Sequence, residues 1–234
     1  MIKAVFFDFD GTVRQNLPAG GEVLANHAVS LGLHIGLEDR ERLARWEHFY
    51  WAMSQELLED RARFDGRVAE FWYQYGQRQL VALGATTEQA VMLAPQITVY
   101  MRQNYKPQSV VPEDARRLFP QLKDQGYLLA LISNREKSYQ DEVEALGLAR
   151  YMEFSLAGGE INAYKPEPEI FLHACSRLGV TPAESAYVGD NYFADVVGAR
   201  RGNLMPILYD PRGIFPDAGC TTIKNFEELP VALV

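Results

Sequence analysis

The acids of this chain fall in a pattern that chemistry could use. Asp8 and Asp10 flank Phe9 and are followed at once by Gly11 and Thr12, in the run AVFFDFDGTV. Ser133 and Asn134 close a second apolar run, YLLALIS; Lys165 stands in NAYKPEPEIF, and Asp190 and Asp195 share GDNYFAD. Clustered carboxylates repel one another unless a proton or a cation intervenes. Hard oxygen ligands suit magnesium, which takes one or two carboxylates and keeps places for water and phosphate oxygens. A lysine nearby would hold a dianion, and Gly11 permits a tight turn whose backbone N–H groups can face an anion. Brought together, these residues describe a magnesium-dependent phosphoryl site with one aspartate free to attack. Taken singly, each has a plainer role as a turn acid, a cap hydroxyl or a solvated loop charge. What favours the joint reading is that all of them fall, in succession, at the ends of predicted strands.

Those strands are legible as apolar runs. AVFF (4–7), YLLALIS (127–133), EFSLAG (153–158), SAYVGD (185–190) and LMPIL (204–208) have the two-faced apolarity of a parallel sheet covered on both sides. The intervening segments 113–126, 137–148, 167–179 and 194–203 have helical spacing, and several stop near a glycine. Pro120 predicts a kink or an early break in the first of them. Alternating strand and helix implies right-handed crossovers and an α/β fold with a doubly wound parallel sheet. In such open sheets ligands bind beyond the carboxyl ends of the strands, which is where the candidate residues lie.

Residues from 15 to 105 break the rhythm, with no convincing strand. Trp46, Phe49, Tyr50 and Met53 recur at helical spacing, as do Phe71, Trp72 and Tyr75. The reading is an all-helical insert, 15–107, within a core made of 1–14 and 108–234. Trp46, Phe49, Tyr50 and Trp51 are read as the insert's own core, with stacking on a base or sugar as the alternative. Arg45, Arg61 and Arg63 are read as salt-bridged or solvated.

The 47% hydrophobic content suffices for a real core. A net charge of −8 without blocks of like charge argues against a nucleic acid polymer as partner. The four histidines show no zinc-ligand spacing, and Cys175 and Cys220 read as reduced structural thiols. Neither a signal-peptide pattern nor an apolar run near the roughly 20 residues of a membrane helix is found, so a cytoplasmic location away from the membrane is expected.

The four motif-bearing stretches together resemble the haloacid-dehalogenase-like (HAD) hydrolase superfamily, subfamily I, with a helical C1-type cap. DFDGT resembles the first family motif, LISN the second, YKPEPEIF the third and VGDNYFAD the fourth. The core resemblance spans residues 1–13 and 110–210; the insert matches only in position and helical character. It implies a Rossmann-like core with an inserted all-helical cap domain. The implied activity is magnesium-dependent hydrolysis of a small phosphorylated metabolite through an aspartyl-phosphate, by a monomer or homodimer. Asp8 would be the nucleophile, and Asp10 would protonate the leaving oxygen and then deprotonate the attacking water. Ser133 would hydrogen-bond a phosphoryl oxygen, and Lys165 would balance charge on Asp8 and the phosphoryl group. Magnesium would be held by Asp8, by Asp10 through its backbone carbonyl, and by Asp190. Asp195 would orient a ligand, a metal-bound water or Lys165. Gly11, Thr12, Ser133, Asn134 and Lys165 are the phosphate-binding candidates, with the Thr12 hydroxyl bracing the turn.

Asp10 also separates reaction classes, since dehalogenases of this superfamily form an ester at carbon and lack that acid. A phosphomutase, and a catalytically idle phosphate-binding regulatory protein, are the alternatives. The chain departs from the family pattern at Arg14-Gln15-Asn16 and at Arg135, where a small residue is common. Arg135 is read as a surface charge, or alternatively as a grip on a second anionic group of the substrate.

Overall fold

A computed structural model describes residues 1–233 and divides the chain into two compact units, Met1–Gln15 with Ser109–Val234, and Asn16–Gln108. The first unit is built on strands β1 (Ala4–Phe7), β4 (Leu128–Ser133), β5 (Ser155–Ala157), β6 (Ser185–Gly189), β7 (Met205–Tyr209) and β8 (Thr221–Ile223). Two short strands, β2 (Gln15–Leu17) and β3 (Gln108–Val110), form a separate two-stranded sheet. The six strands pair in the order β5-β4-β1-β6-β7-β8, every pair parallel. The doubly wound α/β expectation therefore holds. The edge strand β8 was not legible: Thr221-Thr222-Ile223 is too short and too polar for an apolar-run reading, as an exposed edge allows.

Alternation along β1 assigns its side chains to two faces. Val5 and Phe7 join Leu129, Leu131, Val188 and Ile207 in one core with Leu118, Phe119 and Leu122 of the helix Glu113–Asp124. Ala4 and Phe6 join Ala130, Ile132 and Tyr187 in a second, covered by Ile170, Phe171 and Ala174 of the helix Pro168–Leu178. Burial on both sides explains why β1, β4 and β6 are continuous apolar runs. The helix through Pro120 runs unbroken from Glu113 to Asp124. The predicted helix 137–148 contracts to Gln140–Ala145, and the segment before Val197–Arg201 opens with a π-helical turn, Tyr192–Val196. Cys175 and Cys220 are free thiols.

The second unit consists of five helices, Gly20–Ser30, Leu37–Trp51, Gln55–Arg63, Val68–Ala82 and Thr87–Asn104. Leu24, Ala28, Leu43, Leu80, Ala94 and Ile97 form its main core. Tyr50 is fully buried beside Trp46, Trp51 and Tyr75, whereas Phe49 is exposed. Ser54 caps the third helix by accepting the Leu57 N–H, and Thr86 and Gln89 form a reciprocal capping box at the start of the fifth. Pro95, inside that fifth helix, has no N–H for the Val91 carbonyl; the Tyr73 hydroxyl donates to that oxygen at 3.2 Å. Asp60, 3% exposed, accepts the Tyr50 hydroxyl and a two-point contact from Arg78. No helix among the described residues is long and apolar enough to cross a membrane.

Candidate active site

Register brings the candidate residues together. Phe7 lies level with Leu131 of β4 and with Val188 of β6. Asp8, Ser133 and Asp190 therefore emerge within two positions of those paired residues, at one end of the sheet. The Asp8 N–H still bonds the Val188 carbonyl, which fixes where the strand stops. Beyond it the chain turns tightly: the Gly11 N–H donates to the Arg14 carbonyl and the Arg14 N–H to the Phe9 carbonyl, each at 2.8 Å. Gly11 has φ +96°, and a Cβ there would stand 2.4 Å from Asp190 Oδ2. The glycine thus answers two demands at once, a left-handed backbone and the close approach of an acid.

Lys165 is the centre of the buried charge. Its ammonium donates to Asp8 Oδ1 at 2.6 Å, to Asp195 Oδ1 at 2.7 Å and to the Tyr187 hydroxyl at 2.9 Å. All three N–H groups thereby have acceptors. The Tyr187 hydroxyl in turn donates to the Ile132 carbonyl at 3.1 Å. Asn134 fixes the backbone of the lysine from both sides, accepting the Lys165 N–H at 2.7 Å and donating to the Lys165 carbonyl at 2.8 Å. Both ends of the Asn134 amide are engaged in this way, so its side chain holds the Lys165 backbone in place. Gly189 allows the approach of Asp195, whose Oδ2 would lie 2.2 Å from a Cβ at that position.

Asp8, Asp190 and Asp195 each offer an oxygen within 4.8 Å of the others. Thr12 ties two of them: its hydroxyl lies 2.8 Å from Asp190 Oδ1 and 3.3 Å from Asp8 Oδ2, and it accepts the Asp190 N–H at 2.9 Å. Burial drives the Asp8 carboxyl up to about 7; Lys165 opposes that rise, and Asp195 and Asp10 add to it. Asp190 is raised well above the ordinary carboxylate range by burial and by the charges of Asp8 and Asp195. Burial disfavours the Lys165 ammonium, yet Asp195 and Asp8 outweigh it and hold the group protonated. With all three acids ionised, one ammonium would leave two negative charges uncompensated, which is why burial favours protons on Asp8 and Asp190 in the absence of a cation. A divalent cation bound by hard oxygens fits that donor set and that charge.

Asp10 lies outside this cluster. Its two oxygens accept a fork from Arg135, Nε to Oδ2 and Nη2 to Oδ1, both at 2.7 Å, and Arg14 Nη1 reaches Oδ1 at 3.0 Å. The Ser133 hydroxyl is 3.4 Å from Asp10 Oδ2. Arg135 is therefore engaged with an acid of the site and is not an idle surface charge. Sequence reasoning passed over Tyr187 and Glu142, and marked Arg14 only as a departure from the family pattern. Tyr187 reads as one more apolar strand residue, and nothing local marks its hydroxyl. The pairing of Arg14 Nε and Arg135 Nη1 with Glu142, each at 2.6 Å, joins loops and a helix far apart in sequence.

Residues 2–203 match the haloacid dehalogenase-like hydrolase family. The chain is 30% identical to the phosphoserine phosphatase of Thermus thermophilus, over 92% of this chain and 91% of that one. The crystal structure of a HAD phosphatase from Thermococcus onnurineus superposes with a TM-score of 0.59 at 25% identity, covering 99% of this chain and 98% of that one. A 2-haloacid dehalogenase from Pseudomonas syringae pv. Tomato superposes with a TM-score of 0.57 at 28% identity, covering 100% and 98%. The protein belongs to the haloacid dehalogenase-like hydrolase family. It is an enzyme of that family, whose solved neighbours include both phosphatases and dehalogenases.

Proposed function

We propose that the protein is a magnesium-dependent phosphomonoesterase that acts on a small phosphorylated metabolite through a phosphoryl group carried on Asp8. The observation that carries this reading is the buried set Asp8, Asp190, Asp195 and Lys165, whose residual charge and oxygen donors suit a divalent cation. Phosphatases among its relatives agree with it, and Asp10 favours phosphoryl transfer over dehalogenation.

Asp8 and Asp190, with the Asp10 backbone carbonyl, would hold magnesium, which when bound supplies charge neutralisation for the phosphate oxygens and for the acids around them. Asp8 Oδ2, the oxygen not bonded to Lys165, attacks phosphorus as the bond to the ester oxygen breaks; Asp10 gives that oxygen a proton. Asp10, which starts as the acid, then takes a proton from the water that cleaves the phosphoryl–Asp8 bond, which releases phosphate and restores the Asp8 carboxylate and the protonated Asp10. Lys165, held by Asp195, Tyr187 and Asn134, keeps Asp8 aimed and offsets charge on the phosphoryl oxygens. Ser133 and those backbone N–H groups of the Gly11 turn that are not bonded within it would bind those oxygens. The helical unit serves as the cap domain that selects the substrate, and the protein works in the cytoplasm as a monomer or homodimer.

Hydrolysis of para-nitrophenyl phosphate with and without magnesium tests this reading. Magnesium-dependent release of free phosphate supports it. An isomerised sugar phosphate in place of free phosphate would indicate a mutase, and absence of turnover an idle phosphate-binding protein.

A further inference from the structure

We propose that Arg135 is a receptor for a second anionic group on the substrate, preferentially a carboxylate, and that Asp10 occupies its seat until such a group displaces it. The inference rests on the phosphatase reading and narrows its substrate class to phosphomonoesters that carry a second anion near the scissile phosphate.

The guanidinium is held independently of Asp10. Its carbon lies 4.9 Å from the centroid of the Phe9 ring and 5.1 Å from that of Tyr139, and its Nη1 donates to Glu142 at 2.6 Å. Two aromatic rings and an acid fix the plane and leave one edge, Nε with Nη2, as a planar two-donor fork. Such a fork matches a carboxylate and receives one at a time. Here that carboxylate is Asp10. Rotation of the Asp10 side chain, which is 39% exposed, would empty the seat without moving the receptor.

The chemistry assigned to Asp10 requires that rotation. While both its oxygens accept guanidinium N–H groups, the carboxylate is an acceptor turned towards Arg135 and Arg14, not a group directed at a leaving oxygen. A substrate anion on the Arg135 fork replaces one carboxylate with another, so the exchange keeps Arg135 paired and, once the Arg14 contact is released, leaves Asp10 free to turn towards the ester oxygen. The placement is also suitable: Arg135 follows Ser133 by two positions, and the Ser133 hydroxyl faces the same Asp10 oxygen. The receptor therefore stands beside the phosphoryl-binding groups.

A pair of substrates alike in length but not in charge tests this. Carboxymethyl phosphate and ethyl phosphate are compared by kcat/KM in the wild type and in the Arg135→Met and Arg135→Lys variants, with thermal melting as a check on folding. The expected wild-type preference for carboxymethyl phosphate is about tenfold or more, the range of a charge-assisted hydrogen-bonded pair. It should fall to within about twofold of unity in Arg135→Met, mainly through KM for the carboxylate substrate, and recover in part in Arg135→Lys, which keeps charge but not the fork. Equal kcat/KM for the two substrates in the wild type, or a preference that survives Arg135→Met, would overturn the inference alone. Hydrolysis of neither substrate, nor of para-nitrophenyl phosphate, would overturn the phosphatase reading and this inference with it. If Arg135→Met fails to fold, the Lys variant decides: an undiminished preference there would contradict recognition by a bidentate fork.

Discussion

Lys165 Nζ stands 2.6 Å from Asp8 Oδ1, across 157 positions of sequence, and the same ammonium reaches Asp195 Oδ1 at 2.7 Å. Lysine and both acids are buried, so each depends on the others for its charge. Replacing Lys165 by Met should destabilise the protein by about 3–5 kcal/mol, because two buried carboxylates lose their common partner. Tyr187→Phe removes one acceptor from Lys165 and one donor from the Ile132 carbonyl while leaving both ion pairs, and should cost less, about 1–3 kcal/mol. Denaturant unfolding of both variants checks the ranking; equal small losses would show that the ion pairs contribute little.

The pH dependence follows from the raised carboxyls. Asp8 titrates at about 7 in the folded chain against an ordinary value of 3.8, so between those values the folded state keeps a proton that the unfolded state has released. The metal-free protein should therefore lose stability as pH rises from about 4 to about 7, with no further loss from this group above that. Asp190, raised for the same reason, works in the same direction. Unfolding free energies across that pH range, with chelator present, should show a shallower slope in Asp8→Asn than in the wild type.

Magnesium binds the ionised acids, so its effect should grow with pH. The rise in Tm on adding magnesium should be larger at pH 8 than at pH 5.5, and Asp190→Asn should abolish it along with turnover. A magnesium-induced shift of equal size at both values, or one retained in Asp190→Asn, would place the ion elsewhere.

The α/β core was legible because its strands are covered on both faces, which writes each one as an uninterrupted apolar run. Asp8, Lys165 and Asp190 were legible because each breaks or closely follows such a run. Side-chain hydrogen bonds leave no comparable trace. Tyr187 looks apolar in sequence until its hydroxyl is seen between Lys165 and the Ile132 carbonyl. The Arg135–Asp10 fork joins residues 125 positions apart, and no local pattern distinguishes that arginine from a solvated one. Strand β8 escaped because an edge need not be apolar.

Gly11→Ala should damage the site through the backbone. At φ +96°, with the new Cβ directed at Asp190 Oδ2, the substitution should destabilise the protein by about 1–3 kcal/mol and weaken magnesium binding. Thermal melting with and without magnesium reports both effects, and a wild-type profile would remove the proposed constraint on the turn.

Asp10→Asn should lower turnover by about 10²–10⁴-fold, the usual contribution of a positioned acid–base group. Steady-state kinetics on an alkyl phosphate, whose leaving oxygen needs a proton, provides the check; the loss should be smaller with para-nitrophenyl phosphate, whose leaving group departs readily as an anion.

The central claim is that Asp8 itself carries the phosphoryl group. Acid quenching during turnover, borohydride reduction of the acyl phosphate and peptide mass spectrometry test it directly. The account predicts reduction of Asp8 in the wild type and of no other acid, with neither signal nor turnover in Asp8→Asn. An Asp8→Asn variant that still releases phosphate at the wild-type rate, or reduction at a different carboxylate, would contradict it.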